Sequence, residues 1–311
     1  MITQSNGVPE SARDSQAIVP AAMPATRPMY WSVRRELWEN RAIYIAPLVA
    51  AGFVLLGFLI STIHLAAKMH AALTLASTKQ RDALIWPYDS AAFVIFVTAV
   101  IVAAFYCIDA LHGERRDRSI LFWKSLPVSD LTTVLSKASI PLVVLPVVIF
   151  PIVVSTWMIM LVLHIGVLHG GGLSAAPLLE QLKFFQSSLA CIYCLIVISL
   201  WYAPVYTWLL MVSAWARRKP ILWVWLPLFA ISILEKLAFN TSYFSRMVGH
   251  RLTGWLSRAF TLPVQKGVAM DPLQALDPGK FLSTPGLWIG LVFAAIFLAT
   301  AVRLRRYREP I

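Results

Sequence analysis

The chain has 311 residues, 59% of them hydrophobic and 14% charged, with a mean hydropathy of +0.71 and a formal net charge of +12. A water-soluble domain of this length carries far more charge, so the composition excludes an ordinary soluble enzyme or binding module and indicates an integral membrane protein. The basic residues are scattered around apolar segments instead of forming one domain-sized patch, which argues against nucleic acid as a partner.

In chain order, residues 1–28 are rich in Ala, Pro and Ser and lack the apolar core of a signal peptide, so a disordered, uncleaved tail is expected. Residues 29–41 read as an interfacial amphipathic helix, with Tyr30, Val33 and Leu37 on one face and Trp31 and Trp38 beside it. Arg34 and Arg41 fall in the same arc and must snorkel to headgroups or meet a partner's acidic groups. Residues 42–303 form the membrane domain. Within it, six segments reach the ~20 residues needed to cross a hydrocarbon core of ~30 Å. They run from Ile43 to Ile63, Ala91 to Leu111, Ala138 to Ile165, Ser188 to Ala214, Pro220 to Phe239 and Gly286 to Val302. The predicted fold class is therefore all-α, a polytopic membrane protein with six transmembrane helices.

Orientation follows from lysine and arginine in the connecting segments, because positive charge resists translocation. One alternating set holds seventeen of these residues and the other nine. This places the N- and C-termini in the cytoplasm and the chain in the cytoplasmic (inner) membrane. The Arg217-Arg218-Lys219 turn and the basic tail, residues 304–311 with Arg303 just before it, read as membrane-surface anchors. All three cysteines, Cys107, Cys191 and Cys194, fall inside spans as small packing residues, and no disulfide framework is expected.

The segment 112–137, between the second and third spans, changes character twice. A charged cluster (Glu114, Arg115, Arg116, Asp117, Arg118) precedes an apolar-aromatic run (Ile120, Leu121, Phe122, Trp123), which gives way to Leu126, Pro127, Ser129 and Asp130. A solvated loop needs no such run, and a short helix there has an apolar wall wider than one membrane-facing stripe. Pro127 ends that helix. Ser129 is suited to cap the next one, with Asp130 favourable at its positive end. A rigid element of this kind between two spans suits the transmission of force, so a cytoplasmic coupling helix is expected.

This order, with the tract Ser125-Leu126-Pro127-Val128-Ser129, resembles the loop between the second and third spans of the ABC-2 type permeases, the membrane subunits of one class of ATP-driven transporter. The resemblance implies an exporter component whose translocation path forms between two permease protomers, as a homo- or heterodimer, with soluble ABC ATPase subunits docked on the cytoplasmic loops. It assigns ATPase coupling to Glu114, Arg115, Arg116, Arg118, Ile120, Leu121, Phe122, Trp123, Leu126, Pro127, Ser129 and Asp130. It also favours an ATPase-facing role for Arg34, Arg35 and Trp38, because these permeases begin with an interfacial helix. Family members often carry short re-entrant or surface helices between the fifth and sixth spans, corresponding to the outer loop 240–285 here.

Three charges fall inside spans, where each raises a functional question. Asp109, a turn from the cytoplasmic end of the second span, is suited to pair with nearby arginines or to anchor the coupling loop. Glu235 and Lys236, near the outer end of the fifth, are suited to pair with the outer loop through Arg246 or Arg251, or to face a translocation path. In the fourth span Trp201, Trp208 and Trp215 recur at intervals of seven and form one stripe, for lipid contact, helix packing or an aromatic lining. Pro141, Pro146 and Pro151 favour bends in the third.

No G-x-x-x-x-G-K-[ST] sequence is present, so ATP and Mg are expected on a partner subunit and the chain itself is expected to be no enzyme and to hold no cofactor. The histidines near the outer surface, His64, His70, His164 and His169, have ordinary spacing, and no metal site is expected. A gradient-driven secondary transporter and a non-transport membrane scaffold stand as alternatives.

Overall fold

The computed structural model describes residues 26–63, 77–117, 119, 128–170, 172, 174, 176–260 and 272–307. Among these residues the fold is all-helical, with six helical stretches long and apolar enough to cross a membrane. The chain enters through α1 (Thr26–Glu39) and breaks at Asn40, whose side chain donates to the Glu36 carbonyl. It then continues as α2 (Ala42–Thr62), the first span.

The second span, α3 (Ser77–Asp109), has 33 residues against the 21 expected from Ala91 to Leu111. At 1.5 Å per residue it measures about 50 Å and extends past the hydrocarbon core. The short α4 (His112–Arg116) follows. The third span is continuous from Asp130 to Gly170, comprising α5 (Asp130–Ser139), a π-helical turn (Ile140–Val144) and α6 (Leu145–Gly170). The wider turn contains Pro141, which removes a backbone donor from the helical ladder.

A short α7 (Ala176–Leu182) leads into α8 (Phe184–Trp215), the fourth span, and Lys219 in the left-handed region turns the chain into α9 (Pro220–Phe239), the fifth. The outer loop forms α10 (Tyr243–Thr253), α11 (Trp255–Ala259) and α12 (Pro278–Leu282), and α13 (Pro285–Tyr307) is the sixth span. An isolated antiparallel bridge joins Phe260 to Leu276, which draws the loop closed over the end of α8.

The main core lies among α2, α3, α6 and α8, with Ile43, Tyr88, Ile95, Ile149, Met160 and Leu210 almost fully enclosed. A second core of Val197, Trp201, Ala259, Phe281 and Leu287 binds α11 and α12 to the spans. The tryptophan stripe of α8 is thus spent on packing: Trp201 lies against Phe281, Trp208 against Phe297 of α13, and Trp215 edge-on to Trp223 of α9. By contrast α9 buries only Val224. Cys107, Cys191 and Cys194 are free thiols, the first two buried. A third small core of Leu111, Val134, Ala214 and Ala301 sits where α5, the last turns of α8 and the close of α13 meet.

Candidate functional site

Above that third core, six charged side chains converge from four elements, α1, α4, α5 and α13, and Tyr106 of α3 joins them. Glu36 on α1 accepts from Lys137 Nζ of α5 and from Arg35 Nη2, each at 2.8 Å through Oε1, and from the Tyr106 hydroxyl of α3 at 2.8 Å through Oε2. Glu114 on α4 places Oε1 3.1 Å from Lys137 Nζ and 3.2 Å from Arg35 Nη2, and Oε2 3.2 Å from Arg305 Nη2 of α13. Arg305 Nε in turn lies 3.6 Å from Asp130 Oδ1, at the first residue of α5.

Glu36, Lys137 and Arg305 retain 0%, 2% and 3% of their surface, so these are enclosed charges and not a solvated rim. Desolvating an ion costs several kcal/mol even after relaxation, and such a group persists only when opposite charges and hydrogen bonds surround it. Here three cations (Arg35, Lys137, Arg305) face three carboxylates (Glu36, Glu114, Asp130), and the half-exposed Glu39 adds a fourth carboxylate 3.5 Å from Arg35. Burial pushes the Glu36 carboxyl upward, but Lys137 and Arg35 outweigh it and hold the group below its ordinary value of 4.5, hence ionised. Burial likewise opposes the charge on Arg35, yet Glu36, Glu39 and Glu114 raise its guanidinium above the usual range.

The helix α4 is held from its other side by the end of α8. Ser213 Oγ accepts from the backbone N–H groups of Leu111 at 3.1 Å and His112 at 2.9 Å, donors that a helix start leaves without intrahelical partners. Arg115 Nη1 donates to the carbonyls of Ala214 at 2.8 Å and Ala216 at 3.2 Å, closing the last turn of α8. Five residues are too few for a self-supporting helix, so these contacts and the Glu114 ion pairs define its position. These contacts tie α4 to α1, α5, α8 and α13. The π-helical turn lies three residues beyond Lys137, at the junction between this assembly and the apolar part of the third span.

Of the residues singled out from sequence, the structure brings Arg35, Glu114 and Asp130 into the hub and turns Arg115 onto α8. Ser129 caps α5, its Oγ accepting from Thr132 N–H at 3.1 Å. Arg116 is exposed, 3.0 Å from Asp117 and 3.8 Å from Asp109, itself exposed. Arg34 and Trp38 point outward from α1. Arg118, Ile120, Leu121, Phe122, Trp123, Leu126 and Pro127 lie outside the described residues.

At the opposite end of the bundle, Glu235 accepts from Thr241 Oγ1 at 2.8 Å and from the backbone N–H groups of Tyr243 at 2.6 Å and Phe244 at 2.9 Å, so it secures the start of α10. Lys236 is exposed on α9. Arg251 stands over the Trp201 ring at 4.6 Å and donates to the Gly286 carbonyl at 3.0 Å. Among the described residues, no group of three potential metal ligands converges.

Sequence reasoning missed Glu36, Tyr106, Lys137 and Arg305 as members of one cluster. Lys137 and Arg305 were read through their positions at span ends, as topological charges, and Arg305 as a surface anchor like Arg303 and Arg306. Arg303 and Arg306 are indeed exposed, whereas Arg305 turns inward. The available signal was Glu36 itself: on α1 it falls on the Val33 side, away from Trp31 and Trp38, where an unpaired carboxylate would be costly.

Comparison with protein-family models, curated proteins and solved structures finds no match for this chain. Among the described residues the fold and the site define an all-helical membrane protein with six spans, whose two terminal elements are joined to the segment after the second span by an enclosed ionic hub.

Proposed function

We propose that the chain is the permease subunit of an ATP-driven exporter of the ABC-2 type. Two protomers form the translocation path, and a separate soluble ATPase binds ATP and Mg. The observation that carries this reading is the position of Glu114. It lies on the segment that resembles the coupling loop of these permeases, and its carboxylate contacts cations from α1, α5 and α13 simultaneously. A motor acting on segment 112–137 from the cytoplasm thus has a stiff connection to the first, third and sixth spans. Because α4 is also tied to Ser213 and Ala214, the fourth span moves with them. ATP-driven closure of the motor dimer pulls the hub, and the π-helical turn below Lys137 supplies the point at which the third span bends as the path reorients from inside to outside.

The test is co-purification of the full-length protein with a candidate soluble P-loop ATPase from the same cell, followed by ATP hydrolysis measurements on the complex in nanodiscs. Stable association, with hydrolysis altered by Phe122→Ala and by Glu114→Ala, is the expected result. Failure of the wild-type chain to bind any such ATPase rejects the permease reading.

A further inference from the structure

The helix α1 divides its residues sharply between two faces. With about 100° per residue, Tyr30, Trp31, Arg34 and Trp38 share one arc, whereas Glu36 and Glu39 fall on the other side, and Arg41 is exposed in the break before the first span. The inward side is fully committed: Val33 and Leu37 pack against the core, Glu36 holds the hub, and Glu39 pairs with Arg35 at 3.5 Å. Among the described residues no other element covers the outward side in this way. Tyr30, Trp31 and Trp38 are 60%, 57% and 68% exposed, a large aromatic area for one helix of 14 residues.

Arg34 lies between the two indoles, its Cζ 5.2 Å from the Trp31 ring and 4.9 Å from the Trp38 ring. The two rings hold the guanidinium between them on an exposed face, and a guanidinium is the side chain suited to bidentate contact with a phosphate. The first span begins at Ala42, three residues after α1 ends, which fixes this arc at the membrane boundary. Exposed tryptophan and tyrosine settle at headgroup depth, and an arginine there meets lipid phosphate. No carboxylate shares the arc to repel an anion.

We infer that the outward face of α1 is a binding site for the phosphate headgroup of an anionic glycerophospholipid. Arg34 is the phosphate ligand, Trp31 and Trp38 are its flanking walls, and Arg41 is a second positive charge toward the membrane. The inference rests on α1 alone and does not depend on the transport reading. It separates two adjacent residues by role: Arg34 serves lipid, and Arg35 serves the hub.

The test uses the full-length protein from nanodiscs of mixed phosphatidylglycerol and phosphatidylcholine, with retained lipids counted by native mass spectrometry. The wild type is expected to retain phosphatidylglycerol over phosphatidylcholine, and Arg34→Gln to reduce that preference about fivefold, as loss of a charge-assisted contact requires. Trp31→Ala with Trp38→Ala lowers it as well, while Arg116→Gln, which removes an exposed guanidinium already paired with Asp117 and Asp109, leaves it unchanged. Thermal unfolding of Arg34→Gln at the wild-type temperature confirms that the hub is intact. Equal retention of the two lipids by the wild type, or a preference unaffected by Arg34→Gln, overturns the inference. So does loss of ATPase capture in Arg34→Gln with lipid preference preserved, because the face then belongs to a protein partner.

Discussion

Replacing Glu114 by Gln removes the carboxylate that faces three cations while keeping the side-chain volume. At separations of 3.1 to 3.2 Å, each contact corresponds to about 5 kcal/mol of Coulomb energy at an effective dielectric near 20, before desolvation is charged against it. The net cost of deleting one partner of a buried ion pair is smaller, about 3–5 kcal/mol, because the remaining charge stays enclosed. Lys137 and Arg35 keep Glu36 at 2.8 Å, whereas Arg305 is left only with Asp130 at 3.6 Å. The low end of the range therefore applies, about 3 kcal/mol. At roughly 2 °C per kcal/mol for a chain of this size, Tm in detergent should fall by about 6 °C. Combining Glu114→Gln with Arg305→Met should be clearly less destructive than the sum of the two, since the second change removes the stranded cation. Asp109→Asn, which touches only the exposed Arg116 contact, serves as the control and should leave Tm unchanged. A fall below about 1 °C for Glu114→Gln, or strict additivity with Arg305→Met, would refute the enclosed hub.

Three further outcomes follow from the same geometry. Because Glu36 has a depressed pKa when folded, its stabilisation is complete above its unfolded value near 4.5 and is lost as pH falls through the lower folded value; Tm should be flat from neutral pH to about 5 and then drop, and Glu36→Gln should weaken that acid-side slope. Ser213→Ala strands the N–H groups of Leu111 and His112, with an expected loss of about 2 kcal/mol and faster hydrogen exchange confined to residues 111–116. At the other end, a Cβ on Gly290 would stand 2.2 Å from Arg251 Nη2, so Gly290→Leu should expel Arg251 from the Trp201 face and destabilise by about 1–3 kcal/mol. Unfolding measurements should then find Arg251→Ala partly restoring the Gly290→Leu protein.

The six spans were legible because length and continuous apolarity are properties of a segment by itself, independent of what packs beside it. The same locality explains why Ser129 was recognisable as a cap, since the residue and its acceptor geometry lie within one turn. The hub was only half legible. Glu114 and Asp130 stand in a segment whose pattern drew attention, but Glu36, Lys137 and Arg305 are separated by about 100 residues or more along the chain, and no periodicity links them. Arg305 differs from Arg303 and Arg306 only by its angular position on α13, which acquires meaning once α5 is known to lie beside it. The reach of α3 back to Ser77 was hidden for a different reason: its first turns carry Lys79, Arg81 and Asp82, which a search for apolar runs discards although helical backbone tolerates them.

The central claim is that α4 and the spans around it move as one body under a cytoplasmic motor. Its most direct test is a pair of nucleotide-dependent distances, measured by spin labels on a protein whose native cysteines are replaced and which is bound to the proposed ATPase. One pair joins Arg116→Cys to Arg303→Cys, both exposed positions on elements of the hub. The other joins Arg116→Cys to Tyr243→Cys on α10 at the far end. The account predicts that ATP leaves the first distance unchanged and shifts the second. A first distance that changes while the second stays fixed would contradict it, because force would then be lost between α4 and α13 without reaching the far side of the membrane.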